Sequence, residues 1–108
     1  MPSTTLARGN SLSTFYVQPS ITPAAVASYT SAVQTFTLPG LQTTDIVKCI
    51  GAVGVQTAGI ITGEADCYTT NVLSLQIVNA TNASATPISG AYVFMIVRSD
   101  GPLPATAV

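Results

Sequence analysis

From residue 31 onward the chain runs in short stretches of alternating apolar and polar positions, separated by turn residues. A period of two sends successive side chains to opposite faces of a strand, so each stretch is expected to be a β-strand. Residues 31–38 alternate towards their end, with Phe36 and Leu38 on one face and Thr35 and Thr37 on the other, and Pro39-Gly40 then forces a turn. Residues 45–50 make a second strand, followed by a glycine-spaced stretch from Gly51 to Gly54. Residues 55–62 and 64–67 read either as one long strand kinked near Gly63 or as two short ones, with 68–71 as a connection. The clearest half-buried strand is 72–79, where Leu73, Leu75 and Ile77 face one way and Ser74 and Gln76 the other.

Residues 79–86 form a Thr/Asn/Ala/Ser loop ending at Pro87. The next strand, 91–98, is apolar on both faces: Tyr92, Phe94 and Ile96 alternate with Val93, Met95 and Val97. Such a strand is central in a layered core or is covered by another subunit. Asp100-Gly101 ends it, and Pro102 and Pro104 keep the tail out of any sheet. Residues 1–30 show no helical period, hold one charge (Arg8) and three prolines, and carry one apolar cluster, Phe15-Tyr16-Val17. The chain therefore divides into an extended arm with one short anchoring strand (1–30), a β-domain of five to seven strands (31–100) and a short tail (101–108). The fold class is all-β: a small β-sandwich or jelly-roll-like barrel with an extended N-terminal arm.

Composition agrees with sheet and adds one unusual feature. The 108 residues include sixteen Thr, eleven Val and eight Ile, side chains that suit a pleated surface. Charged residues are only 6% of the chain, against about 25% in an ordinary soluble domain. A monomer made soluble by hydroxyls and amides is one reading of that deficit. The other is a surface covered by copies of the chain or by a partner, and the depletion of charge from interface cores favours it.

The same scarcity narrows the chemistry. There is no histidine, so a base beside a nucleophile, as acid–base or nucleophilic catalysis requires, is missing. Cys49 and Cys67 lack the partners for a four-ligand zinc site and read as two buried structural thiols. Glu64 and Asp66, two apart, share a strand face and form either a weak cation site or, more plainly, a polar patch after Gly63. Asp45 and Lys48 point to opposite faces and make no site together. The segment from Gly51 to Gly54 lacks the Lys-Ser/Thr of a phosphate loop. Three positive charges and a pI near 4.7 argue against nucleic acid. The most apolar stretches, 49–63 and 88–97, are broken by glycine or fall short of the ~20 residues of a membrane-spanning helix. The first ten residues lack the apolar run of a secretory signal, so the chain is expected to stay where it is made or to leave as part of a particle. No catalytic residue, cofactor or metal is expected. Tyr68, Asn71, Asn79 and Asn82, in or beside predicted loops, allow a sugar-binding reading, although turns call for the same residue types.

A further expectation comes from likeness. Thr35–Leu41 (Thr-Phe-Thr-Leu-Pro-Gly-Leu), Thr44-Asp45 leading a strand, Ala58-Gly59-Ile60 and the strand ending at Asn79 follow in order, then the loop to Pro87 and the closing 91–98. In order and spacing these pieces resemble small virion proteins of tailed bacteriophages, of the head-decoration (cement) or related head and tail auxiliary type. The resemblance covers about residues 33–98 and departs from the family pattern in its two cysteines and in the lengthened segment around 64–70. It implies a β-sandwich that forms a homotrimer on the outer capsid surface and clamps the major capsid protein, with no membrane partner. The side chains expected to anchor that contact are Phe15, Tyr16, Val17, Tyr92, Phe94 and Met95. The alternative is a tail-fibre or host-recognition module that binds surface carbohydrate.

Overall fold

The computed structural model describes residues 11–99, 101–103 and 105–106, and among them it contains seven strands and no helix. They are β1 (Ser11–Val17), β2 (Ser20–Ile21), β3 (Ser31–Thr37), β4 (Ile46–Ala52), β5 (Ile60–Thr69), β6 (Val72–Asn79) and β7 (Gly90–Ser99). Two antiparallel sheets pack as a small β-sandwich. In one, β7 is central, with β1 and β2 along one side and β4 along the other; in the second, β6 lies between β3 and β5.

The two central strands, β6 and β7, are those that carry three fully buried large side chains each, as a central strand must. Leu73, Leu75 and Ile77 of β6 and Tyr92, Phe94 and Ile96 of β7 are all essentially inaccessible and face each other across the sandwich. Phe15 and Val17 from β1, Phe36 from β3, and Val47 and Cys49 from β4 close the sides of this core.

Turn chemistry fixes the connections. Leu38-Pro39-Gly40-Leu41 is a reverse turn closed by Leu41 N–H to the Leu38 carbonyl (3.3 Å), with Gly40 at φ 90°; proline then glycine at the two middle positions is the type II requirement. Thr70-Asn71 joins β5 to β6 with Asn71 at φ 67°, a left-handed conformation asparagine tolerates. These turns are tied together: Gly40 N–H donates to Asn71 Oδ1 (2.8 Å) and Asn71 N–H to the Leu41 carbonyl (2.9 Å).

Several sequence expectations need adjusting. Residues 55–59 lie outside any strand, and β5 is one strand from Ile60 that takes up its extra length in register shifts between Thr62 and Ala65 and between Asp66 and Thr69. Tyr68 and Thr69 belong to that strand, so only Thr70 and Asn71 remain as connection. Cys67 is buried, Cys49 only half-buried, and both are free thiols. The stretch expected as an arm carries two strands over its described part, both laid along β7, and Val26 adds a bridge to Ala85. Residues 1–10 lie outside the described residues.

Candidate interaction surface

The side chains expected to anchor a partner fall into three groups. Tyr92 and Phe94 are fully buried within the chain itself. They are core residues and have no surface to offer, because the inward face of β7 is the one that packs on β6. Phe15 and Val17 are half-buried and pack against the same core. Tyr16 (66% exposed) and the half-buried Met95 point outward.

The register turns Tyr16 and Met95 into part of a continuous face. Tyr16 pairs with Met95, and Met95 with Lys48, which makes one cross-strand row. Thr14, Val97 and Ile46 make the next row. Val93 sits further along β7, and Ile50 is exposed beside it at the β4 bulge. This outer face of the four-stranded sheet is mostly apolar, and Lys48 is its single charge among the described residues. Lys48 has no ion-pair or hydrogen-bond partner among the described residues.

The opposite outer face, formed by β3, β6 and β5, is hydroxyl-rich. Val33, Ser74, Gln76, Glu64, Asp66 and Tyr68 line one shallow depression on it. The Tyr68 hydroxyl donates to Asp66 Oδ2 (2.9 Å). The bond between the Glu64 and Asp66 carboxyls, then their mutual repulsion, holds the Glu64 carboxyl above the usual range. Glu64 and Asp66 do share a face, as their spacing implies.

The remaining ionised pair is internal. Arg98 Nε and Nη2 each donate to Asp45 at 2.8 Å, and Arg98 Nη2 also reaches the Gly40 carbonyl (3.1 Å). The Asp45 side chain has no solvent exposure. The Arg98 guanidinium holds its carboxyl below the ordinary value, against the opposing effect of burial, and the Gln42 N–H assists. Arg98 also lies over the Phe15 ring, 5.3 Å from its centroid. This pair was not foreseen, although a signal existed: Arg98 has the same parity as Tyr92, Phe94 and Ile96, so it must point inward and find an acid.

The asparagines proposed for sugar binding are divided by the fold. Asn79 is 1% exposed and consumed by the interior, and Asn71 is held in its turn. Tyr68 and Asn82 are exposed but lie on different elements, the outer face of β5 and the β6–β7 loop. Concavities offer little. A cleft of about 240 Å³ between Phe15, Val17 and the Leu38–Leu41 turn is apolar apart from Arg98. A broader groove of about 750 Å³ beside residues 43–46 and 101–103 has Asp45 as the one ionisable lining group among the described residues, and Asp45 is already paired. No three His, Cys, Asp or Glu side chains converge among the described residues. Burial raises the Cys49 thiol, which keeps it in its unreactive protonated form. Compared with known proteins, the chain matches no family model, no curated protein and no solved structure.

Proposed function

We propose that this protein is a structural subunit without catalytic activity, a decoration (cement) protein of a tailed-phage capsid. It works by burying the outer face of its four-stranded sheet in an assembly of copies of itself and the capsid shell. One observation carries the reading: that face presents Tyr16, Ile46, Ile50, Val93, Met95 and Val97 around a single lysine, on an ordered scaffold. The largest apolar patch on a protein's surface is often a functional one. The phage assignment itself comes from the resemblance of residues 33–98 to head auxiliary proteins. The work in that setting is mechanical, since added buried area at the junctions between capsid proteins resists pressure from the packaged genome.

The test is retention on particles. Virions purified on a density gradient should carry the chain, and Val97→Asp should release it while leaving its melting curve close to wild type, because Val97 faces outward. Absence of the wild-type chain from the particle band would refute the assignment, and so would retention of the variant at wild-type occupancy.

A further inference from the structure

Among the described residues, the charges outside the Asp45–Arg98 pair are segregated by face. Lys48 stands on the outer face of one sheet, and Glu64 and Asp66 stand on the outer face of the other. Both sets occupy edge strands on the same side of the sandwich, because β4 and β5 run in contact where the two sheets meet. The Cys49 thiol is hydrogen-bonded to the Thr62 side chain across that contact, which puts Lys48 and Glu64 at about the same level, so a second copy stacked by near translation sets its acidic pair above Lys48 of the first. Exposed apolar side chains flank the charges on both faces, Tyr16 and Ile46 on one and Val33 and Ile61 on the other.

We infer that the occupant of the apolar face is the acidic face of a second copy of this chain, so that copies associate head to tail with Lys48 of one against Glu64 and Asp66 of the next. This rests on the reading of the four-stranded face as an assembly surface and names what covers it. The alternative self-contact, that face against itself, brings two Lys48 side chains together with no anion between them. Glu64 and Asp66, whose hydrogen bond and repulsion raise the Glu64 carboxyl in the single chain, gain a facing cation. Three strands' width at about 4.8 Å by ten residues at about 3.3 Å gives a face on the order of 450 Å². That is well short of the ~800 Å² per partner of a stable pair. An isolated dimer is therefore weak, and association gains when every copy uses both faces. Because the two patches differ, the contact closes into a ring or continues as a column.

Sedimentation velocity across a range of concentration and salt tests this. The wild-type mass should rise with concentration and fall as salt approaches ~1 M, where screening acts over about 3 Å. Lys48→Glu alone, and Glu64→Lys with Asp66→Lys in one chain, should each sediment as monomers. Mixed in equal amounts they should recover wild-type association, since each then meets an opposite charge on both faces; recovery also shows that both variants fold. A wild-type monomer at every concentration overturns the inference, as do charge variants that still associate or a mixture that does not recover. If Val97→Asp leaves particles while the charge variants keep wild-type mass, the assembly surface stands and this choice of occupant falls.

Discussion

Replacing Asn79 by leucine takes four hydrogen bonds out of a site with almost no solvent contact. Asn79 Nδ2 donates to the carbonyls of Val26 and Ala83, both at 2.9 Å, and Oδ1 accepts from the Thr81 N–H (2.9 Å) and hydroxyl (2.6 Å). The amide thus uses its full capacity of two donors and two acceptor sites. The groups left behind fare unequally. The Val26 carbonyl still accepts from Ala85 N–H (3.1 Å), and the Thr81 hydroxyl, released from Asn79, is free to give its proton to the Ala83 carbonyl (2.8 Å). Only the Thr81 N–H is stranded. Four neutral bonds at about 1 kcal/mol net each, with a stranded donor costing about 1–3 kcal/mol, set an upper range. The added apolar burial of leucine offsets part of it, about 1–2 kcal/mol. A loss of about 3–6 kcal/mol follows, which lowers Tm by on the order of 20 °C in a domain this small.

Asn79→Asp sharpens the test, because it keeps the acceptor for Thr81 and turns the other oxygen onto two carbonyls. With no cation beside it, the introduced carboxyl has a folded pKa above its unfolded value of about 3.9. Its neutral form is the one the fold accommodates, so this variant is most stable below the unfolded pKa and loses stability as pH rises through the folded one. Thermal melts followed by circular dichroism at pH 4 and pH 7.5 read both effects. A leucine variant within 1 kcal/mol of wild type (roughly one neutral hydrogen bond), or an aspartate variant no less stable relative to wild type at pH 7.5 than at pH 4, would refute this account of the site.

Phe94→Ala empties a fully buried position between Val17 and Cys49 and should cost about 3–5 kcal/mol; an unchanged denaturant midpoint would show that the β7 face is misassigned. Gly59→Ala should be more disruptive than its single methyl suggests, since Gly59 sits at φ 81° and a Cβ would meet the Thr81 side chain; wild-type expression and Tm would contradict that close approach. The lowered pKa of Asp45 makes its contribution present above the unfolded value near 4 and lost as pH falls through the folded one. Urea midpoints measured from pH 5 down to pH 2 should therefore fall more steeply for wild type than for Asp45→Asn, and parallel curves would exclude the pair as the cause.

The strands were legible because their signal is local. Two-residue alternation in 72–79 and 91–98 named the buried apolar side chains of β6 and β7, though not the buried Ser74 and Asn79, and Pro39-Gly40 marked its turn without help from distant residues. What the chain does not write locally is which strands share a sheet. Tyr92 and Phe94 could be assigned to core or to partner only after β6 was found opposite them, and the double-sided apolarity of β7 turned out to have a separate cause on each face. The inward side packs on β6, and the outward side continues through Tyr16 and Ile46 into a patch. Asn79 was misleading for a related reason. Its neighbours Ala80 to Ser84 read as a polar loop, and nothing nearby announces that Val26, fifty-three positions away, supplies the acceptor that draws the amide inside. The few charges were the hardest to place. Seven scattered charged side chains look like a deficit when counted along the chain. Sorted by sheet face, the five that the structure describes become one sealed internal pair, one lone lysine and one acidic pair on opposite surfaces. A protein with so little charge has little means of keeping copies apart, so where the remaining charges stand decides how those copies meet.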